Sequence, residues 1–324
     1  DGVRFGMLLS SPAGNDLLFD ESLCEQGRNF SNKMWNAFRL VMGWDVDANG
    51  EQPIHTKVAV EWMNQRINEV LADAEEDFKR YRLSEALMAL YKLVWDDFCS
   101  CFLEVVKPPY QKPMDGKTYN DILDIFEKLT KVLHPFMPFI TEELWHALRE
   151  RQEGDSLMLC EMPKPENVNR ELLDRFAVTR NVIEQIRRVR SEKNIANKNA
   201  LKLHVHADAA MANAEMDAVI AKLANVELVE YVGEQGEVNG ASFIEQNVKY
   251  SIPLEGLINA EEEIKKLQAD LKYAEGFLQG VLKKLSNERF VNNAPQNVVD
   301  IERKKQADAE EKIRIIKEQL SKLQ

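Results

Sequence analysis

The chain has 324 residues, 44% of them hydrophobic and 30% charged, with a formal net charge of -12. That length suits two or three domains with a full core, and the composition is that of a helix-rich globular protein. With no apolar run able to span a bilayer and no cationic-then-apolar leader, no membrane partner is expected. The acidic balance argues against a general nucleic-acid coat, though not against local basic surfaces.

Residues 1–165 read as a helical bundle. Asp1–Ser10 reads as the tail of an earlier element, which implies that the chain is cut from something larger. Ser22 and Glu25 have capping-box spacing and predict a helix from there to Met42. Its apolar stripe is Leu23, Gly27, Phe30, Met34, Ala37 and Val41, which puts Arg28, Asn32, Trp35, Asn36 and Arg39 on the opposite face. A polar loop over 45–56 is followed by helices over 57–79 and 83–106, the second stopped by Pro108 and Pro109. Another helix spans Thr118–Leu133. The prolines of His134–Phe139 force a corner, and Thr141 is placed to cap the next helix, with Glu142 and Glu143 in its first turn.

The segment Met162–Glu166, with two prolines, reads as a domain linker, and 166–199 as linker and basic helix. The helix, over about 171–194, packs through Val182, Ile183, Ile186 and Val189 and carries Arg187 and Arg188 among its cations. The period then changes. Leu201–Val205 alternates as a half-buried strand does. A helix over 209–224 and strands at 226–232, 242–246 and 248–252 complete a small α+β module over 200–257.

The last stretch, 258–324, alternates apolar residues by three and four at Ile264, Leu267, Leu271, Ala274, Leu278, Val281 and Leu285, and again at Ala309, Ile313, Ile316, Leu320 and Leu323. Paired outward from Asn293, Leu267 faces Leu320, Leu271 faces Ile316, Ala274 faces Ile313 and Leu278 faces Ala309. Two such stripes joined by an Asn- and Pro-containing breaker predict an antiparallel coiled-coil hairpin. Each arm of roughly 30 residues would be about 45 Å long. The fold class is therefore mainly α: a bundle, a small α+β module and a coiled-coil hairpin.

The cysteines Cys24, Cys99, Cys101 and Cys160 form no CxxC pair and read as reduced structural thiols of a cytoplasmic protein. His204 and His206 share a strand face and could bind a metal, but with no carboxylate or cysteine beside them they read as solvated or satisfied histidines. There is no Walker-type or GxGxxG loop, no HExxH and no GxSxG elbow. The region reads as a binding module without catalytic residues or a metal.

Three surfaces could meet a polyanion. In the tip half of the hairpin, Lys283, Lys284, Arg289, Arg303, Lys304 and Lys305 outnumber Glu288, Asp300 and Glu302, with Asn292 and Asn293 at the turn, while Glu261, Glu262 and Glu263 reverse the sign at the root. The exposed face of helix 22–42 joins two guanidiniums, two amides and an indole, groups that bind phosphates, read base edges and stack on unpaired bases. The basic helix is the third surface. A protein–protein scaffold formed by the heptads is the alternative, although the mirror register gives each helix its partner within the chain.

The order of segments resembles the C-terminal part of the valyl-tRNA synthetase family. The likeness rests on residues 1–12 (DGVRFGMLLSSP) and 14–20 (GNDLLFD), Arg28–Asn36 (RNFSNKMWN), Leu133–Trp145 (LHPFMPFITEELW), and Lys284–Val291 (KLSNERFV) with Ala294 and Pro295. The equivalent region of the isoleucyl relative is the alternative, but its usual C-terminal zinc-binding cysteine cluster has no counterpart here; the leucyl enzyme shares the bundle but not this long arm. The resemblance implies that the bundle contacts the anticodon arm of tRNA(Val) and that the hairpin supports the outer corner. The whole enzyme would use ATP and Mg to attach valine to tRNA and would edit mischarged threonine. Neither the HIGH nor the KMSKS signature lies in this chain, so no cofactor and no catalysis are expected of the fragment itself, and it is expected to be a monomer.

Overall fold

A computed structural model of the chain describes residues 1–10, 19–233, 240–254, 260–286 and 296–323. Its contacts divide it into two units: residues 1–190 with 197–253, and residues 191–196 with 254–324. The fold is mainly α. No helix among the described residues is long and apolar enough to cross a membrane.

The first unit begins with α1 (Gly2–Leu9) laid against α2 (Glu21–Met42). The two meet almost backbone to backbone: a Cβ on Gly27 would lie 2.7 Å from the Phe5 Cβ and 2.9 Å from the Gly2 carbonyl oxygen. Phe30 then reaches Phe5 and Tyr91, at ring centroids 5.7 and 4.9 Å away. The cap of α2 differs from the capping-box expectation. Asp20, one position ahead of the helix, accepts from the Ser22 N–H at 2.8 Å. Its carboxylate fills the role expected of the Ser22 hydroxyl and adds negative charge at the helix N-terminus.

The loop before α3 (Ile54–Lys79) contains a two-residue strand, β1 (Val46–Asp47), paired in parallel with β2 (Met114–Asp115). α4 (Leu83–Lys92) continues without a break into a π-helical stretch, Leu93–Phe102, and a last α turn, α5 (Leu103–Val106). Sequence periodicity read one α-helix across this span. The wider π turn accounts for the run of buried Asp97, Phe98 and Cys99 followed by Cys101 and Phe102, and the Ser100 hydroxyl donates to the Trp95 carbonyl five residues back.

α6 (Gly116–Leu133) is capped by Asp115, which accepts from the Thr118 N–H at 2.7 Å. The expected cap of α7 (Pro138–Leu148) is replaced. Asp1, remote in sequence, accepts from the Phe139 and Ile140 N–H groups. Thr141 instead lies inside the first turn, fully buried, donating to the Met137 carbonyl and bonded to His134 Nδ1 at 2.8 Å. The segment Met162–Pro165 lies along an apolar groove of about 590 Å³ whose other walls include Leu71, Phe78, Leu90 and Val132.

α8 (Arg170–Glu192) buries Val182, Ile183, Ile186 and Val189 as expected, and Phe176 stacks on Trp62 of α3 with ring centroids 4.1 Å apart. The α+β module follows with β3 (Leu201–His206), α9 (Ala214–Ala224), β4 (Val226–Tyr231), β5 (Gly240–Glu245) and β6 (Val248–Pro253). The sheet order is β4-β3-β6-β5, with β3 parallel to β4 and antiparallel to β6. Gln246 and Asn247, both at positive φ, make the two-residue β5–β6 turn. The helix expected over 209–224 is split: Ala209–Met211 is a 3₁₀ turn, and Asn213 caps α9 through the Met216 N–H. α9 packs on α3, and Lys222 donates to the Lys107 carbonyl at 2.7 Å.

The second unit contains α10 (Ala260–Leu285) and α11 (Gln296–Leu323), which contact each other. Ala274 and Val281 on one helix and Val299, Ala309 and Ile313 on the other are buried. Ion pairs Glu275–Lys317 at 3.2 Å and Lys284–Glu302 at 3.7 Å cross between them.

Candidate nucleic-acid interface

In α2 the apolar stripe fixes which side is left for a partner. Gly27, Phe30, Met34, Ala37 and Val41 are buried. Arg28, Asn32, Trp35, Asn36 and Arg39 are all exposed, on one side of the helix. The structure therefore brings these five side chains together as periodicity requires. Trp35 is 38% exposed and lies 5.3 Å from the Phe38 ring, tilted by 40°. Phe38, on the same helix, braces its ring. Sequence reasoning missed the flank of this face. Lys33 sits over the Trp95 ring at 5.2 Å, and Trp95 stacks on Tyr91 at 5.5 Å. The π segment that carries Trp95 had no signal in the α-periodic pattern.

The arginines of α8 are largely engaged within the first unit. Arg180 donates to Asp97 at 2.9 Å, Arg170 pairs with Glu69, and Arg175 pairs with Glu171 at 3.1 Å. Arg190 is buried and donates to the Ala224 and Asn225 carbonyls at 2.9 and 3.1 Å, and Arg187 donates to the Leu223 carbonyl at 3.3 Å. These two side chains satisfy carbonyls at the end of α9 that have no intrahelical partner. Arg187 and Arg188 both remain exposed. Asp97 holds Arg66 as well, through Nε at 3.1 Å and Nη2 at 2.9 Å. Burial alone would lower Arg66, but Asp97 and then Glu69 outweigh it and raise its pKa.

On the second unit Lys283, Lys284, Arg303, Lys304 and Lys305 are exposed, while Arg289, Asn292 and Asn293 lie outside the described residues. Lys284 and Lys305 converge on Glu302, whose side chain is only 8% exposed. Lys305 donates to Glu302 Oε1 at 2.8 Å. The hydrogen bond from Lys305, assisted by the charge of Lys284, holds the Glu302 carboxyl below its ordinary value. Sequence reasoning had placed Glu302 among surface charges. Its signal was available: 299, 302, 306, 309 and 313 continue the three-four spacing, so a carboxylate occupies a position on the apolar stripe.

Among the described residues no group of three His, Cys, Asp or Glu side chains could hold a metal. His204 lies 3.5 Å from Glu230 and His206 Nε2 is 2.7 Å from the Ser251 hydroxyl.

Residues 60–205 match the family model of the anticodon-binding domain of tRNA ligase, and residues 259–324 match that of the valyl tRNA synthetase tRNA binding arm. Both matches are to tRNA-recognising parts of tRNA ligases. The chain is 53% identical over 323 residues to a valine–tRNA ligase of Phocaeicola vulgatus, covering 100% of this chain and 36% of that protein. The corresponding protein of Parabacteroides distasonis is 49% identical over the same 100% of this chain and 36% of its own length. That of Fusobacterium nucleatum is 30% identical over 99% of this chain and 38% of its own. Over its whole length the chain is similar to the C-terminal region of valyl-tRNA synthetases. It spans 36% of the length of the first two relatives.

Proposed function

We propose that the chain is the tRNA-binding region of a valine–tRNA ligase whose remaining parts would attach valine to tRNA(Val) with ATP and Mg and edit mischarged threonine. In this reading residues 1–165 form the anticodon-binding bundle, 166–199 a linker with the basic helix, and 200–257 an α+β module. Residues 258–324 form an antiparallel coiled-coil arm directed at the outer corner of the tRNA. The observation that carries it is the occurrence on one chain of a match to an anticodon-binding domain and a match to a tRNA-binding arm. The coiled-coil reading is supported by the ion pairs Glu275–Lys317 and Lys284–Glu302, which follow the antiparallel order expected of the stripes. The α2 face supports the anticodon reading, because its exposed guanidiniums, amides and indole can hold phosphates and meet unpaired bases. The chain acts as a monomer in the cytoplasm, and without HIGH or KMSKS signatures it binds tRNA but does not activate valine. Fluorescence anisotropy with a valine-tRNA transcript and an unrelated tRNA tests this. Tighter, salt-sensitive binding of the valine tRNA is expected, and equal affinity for both would refute it.

A further inference from the structure

Among its described residues the second unit holds one buried carboxylate, on a stripe that is otherwise apolar where it is buried. Glu302 is 6% exposed, in a position where Val299 and Ala309 on the same stripe are apolar and buried. A buried charge is retained at a cost unless it is paired. Two ammonium groups pair it, one from each helix: Lys305 Nζ at 2.8 Å and Lys284 Nζ at 3.7 Å, both to the same oxygen, Oε1. Oε2 is buried and has no hydrogen-bond partner among the described residues. The lysines themselves are 45% and 62% exposed. The carboxylate thus sits behind, and the two ammoniums sit in front, facing solvent.

We propose that Glu302 is a positioning residue that holds Lys284 and Lys305 together as one two-ammonium clamp for a single phosphate of an RNA backbone. The proposal rests on the reading of α10 and α11 as RNA-facing. Two free lysines on neighbouring helices repel each other and sample many rotamers, and both costs fall on the moment of binding. A shared carboxylate offsets both in advance. The trio keeps a net positive charge, and because Glu302 is recessed, an incoming phosphate meets the ammoniums first. Lys283 and Lys304, exposed and adjacent in sequence, have no such organiser among the described residues and serve as internal controls.

The test is a double-mutant cycle on the full chain with a valine-tRNA transcript as probe. Lys284→Gln and Lys305→Gln are each expected to weaken binding roughly tenfold, as for loss of a charge-assisted contact. The double variant should lose little more than either single, because the clamp acts as a unit. In a Glu302→Gln background the same two losses should become smaller and additive. The cycle in the native background stands even where Glu302→Gln loosens the helices. A second readout needs no RNA: the Lys284 and Lys305 ammonium NMR signals should show restricted motion that Glu302→Gln releases. Additive losses in the native background, or ammoniums as mobile as those of Lys283 and Lys304, would overturn the clamp. Weakening by Lys283→Gln and Lys304→Gln but not by Lys284→Gln and Lys305→Gln would overturn the clamp and leave the RNA-facing arm intact. No effect of any of the four would remove that reading and the clamp with it.

Discussion

Asp97 is the charge on which the first unit turns, and its removal has a magnitude that the structure constrains. Its side chain is 8% exposed and accepts from Arg66 of α3 and Arg180 of α8 through three hydrogen bonds of 2.9 to 3.1 Å. Removing one partner of a fully buried ion pair costs about 3–5 kcal/mol, much of it from the charge left behind. Here the stranded guanidiniums are 29% and 37% exposed, so water screens them in part. Arg66 also keeps Glu69. Asp97→Ala should therefore cost about 2–3 kcal/mol, and Asp97→Asn, which retains shape and an acceptor, about 1–2 kcal/mol. Tryptophan fluorescence during urea unfolding is the assay. Every tryptophan of the chain lies within residues 1–190, so the signal reports the first unit alone. A shifted midpoint with an unchanged slope is expected. A loss below about 0.5 kcal/mol for Asp97→Ala, in the range of an ordinary surface substitution, would refute the view that Asp97 ties α3, the π segment and α8 together.

Burial pushes the Cys99 thiol up to about 12 and the Cys101 thiol up to about 11. At pH ~8 only about one Cys99 in ten thousand is thiolate, so a thiol reagent should label Cys24 and Cys160 first and reach the other two only after unfolding. Fast labelling of all four would contradict the packing of the π segment. Gly27→Ala places its Cβ against Phe5 and Gly2 and should cost about 1–3 kcal/mol by overpacking, read as earlier urea unfolding; unchanged stability would mean that α1 and α2 are not in close contact. Burial, with Lys249 and then His204 adding to it, holds His206 below the ordinary histidine value, and burial followed by Lys222 does the same to His55. Both are therefore disposed to be neutral in the folded chain. Their stabilising effect is fully present above about pH 6.5 and is lost as the pH falls through the lower folded values. The destabilisation on acidification should shrink in His206→Gln, and an identical pH profile would refute the role.

The apolar stripes were legible because they depend only on spacing. The buried side of α2 and the packed side of α8 follow from periodicity, and so does the five-residue face that α2 leaves exposed. What was not legible depended on partners remote in sequence. The cap of α7 comes from Asp1, more than a hundred residues away, and nothing local distinguishes Thr141 as a buried side chain from Thr141 as a cap. The π stretch hides in the same apolar density that an α-helix would show. Charge counting also misjudged individual side chains. Arg180 and Arg190 add to the basic count of α8, yet they are occupied by Asp97 and by the end of α9. Glu302 counted against the positive charge of residues 281–306 but is buried.

The most direct measurement is a chemical footprint of a valine-tRNA transcript bound to the chain, taken with the native sequence and with two variants. One variant carries Arg28→Ala and Arg39→Ala, and in the other Lys283, Lys284, Lys304 and Lys305 are all changed to Gln. Protection of the anticodon loop and of the outer corner is expected, the first lost selectively in the arginine variant and the second in the lysine variant. Protection of neither region, or loss of both in either variant, would contradict the assignment of two separate tRNA-contacting surfaces.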